Sequence, residues 1–210
     1  MAILLDSASI EDAAAAARLG FVRGITTNPA LMARETKRPL EHLERLLGAF
    51  PHGPICYQPT QSTYGAMDEQ ARAAAALAPD RVVAKLPATL EAVTLVVELE
   101  RDGIPSALTA VYSPAQALLA HETGCRWIIP YVDRAARHSA SAVVLELAAV
   151  LEQLDSPTRI LAASLKTAQQ AADAVLDGAH DITAPLEVLR ALPAHPLTES
   201  AVREFAAHWD

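Results

Sequence analysis

Eight short apolar runs recur roughly every 20–30 residues along this 210-residue chain, each followed by a longer Ala- and Leu-rich segment of helical period. The runs fall at 3–6, 24–27, 55–58, 82–86, 106–110, 127–131, 160–163 and 181–184. Helical patterns lie between them at 10–19, 40–47, 63–77, 90–101, 114–121, 140–154 and 167–176. Two more follow the last run, at 186–192 and 196–209. Such alternation predicts a parallel sheet covered on both faces by helices. A count of eight favours closure into a (β/α)8 TIM barrel with an additional C-terminal helix. No glycine-rich GxGxxG turn follows the first run, which weakens the alternative of an open dinucleotide-binding sheet. Without linker or composition shift, the reading is one barrel domain over 1–210, with 194–210 as the terminal helix.

A barrel gathers its chemistry at the C-terminal ends of its strands. Polar residues collect at those ends in this chain. Asp6 closes the first run, and Thr26, Thr27 and Asn28 close the second in "GITTNPAL". Gln58 ends the third in "ICYQPT", and Thr109 the fifth in "LTAVYS". Tyr131 and Arg134 follow the sixth in "PYVDR"; Ser164 and Lys166 follow the seventh in "AASLKT". Taken singly, Asn28 and Ser164 also read as helix N-caps. Capping alone does not account for so many strands ending this way.

The fourth run, "VVAKLP", carries Lys85, one of three lysines among 17 basic residues. Period-2 alternation puts Val83, Lys85 and Pro87 on one face and Val82, Ala84 and Leu86 on the other. If the second set meets the helices, Lys85 points into the barrel. A buried amine is either paired as an ammonium or neutral and nucleophilic. An ion pair with Asp6, a snorkelling lysine and a Schiff-base nucleophile all fit the stretch by itself, and alone it favours the paired lysine.

Composition removes several function classes. The net charge of −8 opposes binding to nucleic acid or an acidic membrane surface, while a small anion remains acceptable to a few gathered cations. No run of about 18 apolar residues predicts a transmembrane helix, and the N-terminal stretch lacks the basic region of a signal peptide. Cys56 and Cys125 stand apart in apolar runs and read as reduced core thiols, consistent with a cytoplasmic protein. The seven histidines show no metal-ligand spacing, so neither metal nor other cofactor is expected. His138 alone lies near the presumed active face, as a substrate contact or a solvated loop residue.

Taken together, "LLDSA", "GITTNPAL", "VVAKLP", "LTAVYS", "PYVDR" and "AASLKT" resemble the transaldolase family, in particular its small branch containing fructose-6-phosphate aldolase. The likeness runs from Met1 to about Pro185 in order and spacing. It implies a metal-independent class I aldolase with Lys85 as the Schiff-base nucleophile. It also implies that Gln58, Thr109 and Tyr131 hold a proton-shuttling water and that Asp6 and Asn28 hold substrate hydroxyls beside Thr26. Arg134 and Ser164 would bind the phosphate of a sugar phosphate, and Lys166 stands where some relatives carry a further cation. Transaldolases proper have a glutamate in place of Gln58 and a phenylalanine in place of Tyr131. The pair found here leans toward an aldolase that releases a free ketone such as dihydroxyacetone, with transfer of that unit as the alternative.

Departures from the family pattern are local. The segment after the sixth strand, "YVDRAARHSASAVV", lacks the usual glycine- and aspartate-containing loop and is about two residues short. Ile129 and Leu108 stand where the aldolase branch has smaller residues, which implies a narrower pocket. On the C-terminal helix, Val202, Phe205, Ala206 and Trp209 form an apolar stripe that either packs on its own barrel or, as the resemblance implies, crosses onto a neighbouring subunit of a pentamer or decamer.

Overall fold

The computed structural model describes residues 1–138 and 142–208. Eight parallel strands close on themselves in sequence order: β1 (Ile3–Asp6), β2 (Val22–Thr26), β3 (Ile55–Tyr57), β4 (Val82–Pro87), β5 (Ser106–Val111), β6 (Trp127–Pro130), β7 (Arg159–Ala162) and β8 (Asp181–Ala184). β1 pairs with both β2 and β8, so no edge strand is left. The result is the expected (β/α)8 barrel with a helix beyond it.

Period-2 alternation divides the strands between two cores. Leu4, Cys56, Val83, Ala107, Trp127, Ile129 and Leu161 fill the barrel interior. Leu5, Ile25, Val82, Ala84, Leu86, Leu108, Ile128 and Ile160 face the helices. Leu108 is therefore on the outer face and does not narrow the interior; its neighbours Ala107 and Thr109 hold the inward positions. The outer layer comprises α1 (Ile10–Leu19), α2 (Pro29–Glu35), α3 (Pro39–Ala49), α4 (Tyr64–Leu77), α5 (Leu90–Arg101), α6 (Ala115–Thr123), α7 (Val132–Ala136), α8 (Val143–Gln153), α9 (Ala168–Leu176) and α10 (Leu186–Ala191). Residue 24 can only be glycine: a Cβ there would stand 2.6 Å from the Pro54 carbonyl oxygen.

Two helices escape the sequence pattern, α2 and α7. Both are short, seven and five residues, too brief to display a helical period. The helix expected from Ala140 starts at Val143, and Ala140 lies outside the described residues. The terminal helix α11 (Pro196–Ala206) buries none of its residues; Leu197, Val202 and Phe205 are 73, 60 and 67 % exposed. The stripe thus does not pack on its own barrel, and its Trp209 lies outside the described residues.

The N-terminal end of the barrel is sealed by polar bonding. Asp181 accepts from the Ala2 N–H at 2.6 Å, from Trp127 Nε1 at 2.9 Å and from Arg159 Nε at 2.8 Å. Arg126 stacks over the Trp127 ring at 4.1 Å. Burial pushes the Asp181 carboxyl upward, but the bonds from Arg159, Trp127 and Ala2 outweigh it and hold the group below the usual carboxylate range.

Candidate active site

At the opposite end a cavity of about 680 Å³ opens among the βα loops. Nine of the ten residues singled out from the sequence line it: Asp6, Thr26, Asn28, Gln58, Lys85, Tyr131, Arg134, Ser164 and Lys166. The tenth, Thr109, is fully buried behind the wall and reaches the cavity through Tyr131, donating its hydroxyl to the phenol oxygen at 3.3 Å.

Lys85 is 3 % exposed, on the inward face with Val83. Among the described residues no carboxylate lies within ion-pairing distance of it. Asp6, the partner considered from sequence, is engaged elsewhere. Its Oδ1 accepts from Thr26 Oγ1 at 2.9 Å, and Thr26 Oγ1 lies 2.7 Å from Thr183 Oγ1. Thr26 spends its one hydroxyl proton on Asp6, so Thr183 donates to Thr26. Three strands are thereby tied at one point, and one carboxylate oxygen of Asp6 is left for the cavity.

Gln58 brings a second unspent group: its Oε1 is buried without a partner in the protein. A buried amide oxygen left unpaired costs about 1–3 kcal/mol, which a bound ligand or water would recover. Asn28 does cap α2, accepting from Leu31 N–H at 2.9 Å, and it also faces the cavity. The cap occupies Oδ1 and leaves the amide NH2 as its free donor.

At the end of β7, Ser164 sits at φ +61°, a left-handed conformation unusual for a residue with a Cβ. Arg134 rides on α7 with its guanidinium over the Tyr131 ring at 5.3 Å. After β6, Asp133 pairs with Arg137 Nη2 at 2.7 Å and meets Gln170 Nε2 at 3.5 Å. Neither Arg137 nor His138 lines the cavity.

Below the lysine, burial raises the Cys56 thiol to about 12, against the pull of the Lys85 and Arg126 charges. Burial likewise raises Cys125 to about 11. Both are free, buried thiols.

Residues 3–210 fit the model of the family described as Transaldolase/Fructose-6-phosphate aldolase. The chain belongs to that family. Proteins named probable transaldolase from Phenylobacterium zucineum and Desulforudis audaxviator are each 35 % identical over 211 residues, spanning 100 % of this chain and 96 and 97 % of theirs. One from Moorella thermoacetica is 34 % identical over 212 residues, covering 100 % of this chain and 98 % of its own.

The cavity is lined by more residues than those expected from the sequence. Ser7, Ser9 and Asp12 at the entry to α1, Arg34 and Glu35 from α2, Thr183 in β8, and Pro185 and Glu187 beyond it also border the cavity. Thr183 carried a usable signal, since alternation in "DITA" places Asp181 and Thr183 on one face. Arg34 carried none: its approach depends on α2 lying along the cavity wall, and no periodicity announces that helix.

Proposed function

We propose that the protein is a class I aldolase that reversibly cleaves a ketose or ketose phosphate such as fructose 6-phosphate, releasing a dihydroxyacetone-type ketone. The observation that carries this reading is Lys85, buried at the cavity floor without a carboxylate partner among the described residues.

In this reading the Lys85 amine adds to the ketone carbonyl, and loss of water leaves a protonated Schiff base. A base removes the proton of the hydroxyl on the β-carbon, the far end of the bond to be broken, and that carbon becomes the aldehyde carbon. The electrons of that C–C bond move toward the iminium, so an aldehyde departs and an enamine stays on the lysine. Protonation of the enamine carbon and hydrolysis then release the ketone and restore the amine. Tyr131 exchanges these protons through a water fixed with Gln58 and Thr109, since amide and alcohol side chains can hold a water but do not titrate. Asp6 and Asn28 hold the substrate hydroxyls beside Thr26. Arg134, Ser164 and Lys166 bind the phosphate; the fork of an arginine suits a dianion.

A second reading, a transaldolase that passes the ketone unit to another sugar phosphate without releasing it, is favoured by the names of the relatives. Against it stand Gln58 and Tyr131. Incubation with dihydroxyacetone or fructose 6-phosphate, reduction with borohydride and peptide mapping tests the common step. An adduct at Lys85 is expected, and its absence with every ketose or ketol donor removes the Schiff-base mechanism. Accumulation of free dihydroxyacetone from fructose 6-phosphate without an acceptor aldehyde distinguishes aldolase from transferase.

The same reading places the protein in the cytoplasm as a pentamer or decamer in which α11 lies on a neighbouring subunit. Its exposed Leu197, Val202 and Phe205 support this, because an apolar stripe free of its own barrel needs another surface. Light scattering of the full chain and of a chain ending at residue 193 tests it; an unchanged mass on truncation would remove the role of the helix.

A further inference from the structure

The position of Tyr131 depends on the end of β5, two residues beyond its hydrogen-bond partner. Thr109 pairs with Ile129, but the next pair is Val111 with Pro130, so Ala110 is an extra residue, held at φ +57°. This bulge shifts the alternation. Thr109 keeps the inward position, Val111 joins the outer core, and Tyr112 is brought over to Tyr131. The two rings meet nearly perpendicular, at 80° with centroids 5.9 Å apart. Gln116 braces the turn: its Oε1 accepts from the N–H groups of Tyr112 and Ser113 at 2.9 and 3.1 Å, and its Nε2 reaches the Ala88 carbonyl at 3.5 Å. Arg134 lies over the Tyr131 ring. The phenol is thereby confined by one ring edge-to-face, by a cation and by the Thr109 hydroxyl. Tyr112 itself does not line the cavity.

We infer that Tyr112 is a positioning residue: its ring holds the Tyr131 phenol at Thr109, in the orientation in which it exchanges protons with the Lys85-bound intermediate. This rests on the aldolase reading above. Aromatic pairs of this geometry bias a conformation by roughly two- to twelvefold, so the effect belongs in the rate of proton transfer and not in ketone binding.

The test follows deuterium incorporation into dihydroxyacetone in heavy water by NMR. Imine and enamine interconvert by losing a C–H proton and regaining a deuteron, so no acceptor aldehyde is needed. Rates are divided by the amount of Lys85 that dihydroxyacetone and borohydride label, which removes any contribution from misfolded protein. Y112L, which keeps apolar volume against the core but lacks the ring, is expected to exchange about two- to twelvefold more slowly with an apparent KM within twofold of the unaltered chain. Y112F should retain most of the rate, because the ring and not its hydroxyl makes the contact. In a Y131F background Y112L should cost nothing further. A normal rate for Y112L, equal impairment of Y112F and Y112L, or a full additional loss in the Y131F background would each overturn the inference alone. An unaltered chain that neither labels at Lys85 nor exchanges would overturn the aldolase reading and this inference with it.

Discussion

The two ends of this barrel treat buried polar groups in opposite ways. At the N-terminal end Asp181 is 1 % exposed and its carboxylate is bonded by a backbone N–H, an indole and a guanidinium. At the C-terminal end Lys85 is nearly as deep, yet among the described residues no carboxylate pairs with it, and Gln58 Oε1 has no partner. A buried polar group costs free energy unless it is hydrogen-bonded. Satisfied at one end and left open at the other, the same kind of group is spent on the fold in the first case and stays available to a ligand in the second. Positive φ at non-glycine residues does not divide the ends: Ala110 and Ser164 lie toward the open one, and Asp155 lies in the loop that enters β7.

Exchanging the roles of the two ends gives the largest expected effect. Lys85→Met should abolish borohydride-trappable adduct and turnover, while denaturant unfolding shows stability equal to or above that of the unaltered chain. A substantially destabilised Lys85→Met would mean that the lysine serves the fold. The converse change, Asp181→Ala, leaves the buried Trp127 N–H and the half-exposed Arg159 without their acceptor and should lower unfolding stability by about 1–3 kcal/mol, with kcat at low temperature nearly unchanged.

Tyr131→Phe keeps the ring and removes the titrating group. Cleavage should slow by about 10²- to 10⁴-fold with the thermal midpoint little altered; an unchanged rate would end the proton-transfer role.

Acid distinguishes the two ends as well. The Asp181 carboxyl is held below its ordinary value, so the unfolded chain takes up its proton first. The stabilisation is therefore complete above about pH 4, where the unfolded carboxyl is ionised, and is lost as pH falls through the depressed folded value. Thermal midpoints measured from pH 6 downward should fall in that window, and the fall should be shallower in Asp181→Asn.

The smallest effect is expected at Ser164→Gly. Glycine adopts the left-handed conformation without a Cβ penalty, so the thermal midpoint should hold or rise slightly while KM for a phosphorylated substrate increases. A loss of stability would place the importance of Ser164 in its packing.

Much of this site could be read without coordinates because inward direction follows from period two and catalytic position from the strand end. Asp6, Lys85 and Thr109 were reachable by counting along a strand. Leu108 shows how strict the rule is: one position from Thr109, it belongs to the helix-facing core and cannot shape the cavity. Arg34 and Tyr112 were not reachable. The first depends on a seven-residue helix too short to show a period, the second on a bulge at Ala110 that breaks the count.

The sequence by itself determined the barrel, the inward face of each strand and the identity of the polar strand ends, since these are properties of local periodicity and residue type. Tertiary structure alone decided that Asp6 bonds to Thr26 and not to Lys85, that α11 is left without a surface on its own barrel, and that Tyr131 stands between Tyr112, Arg134 and Thr109. Those outcomes turn on distances between residues far apart in the chain, which closure of the barrel sets and periodicity does not encode.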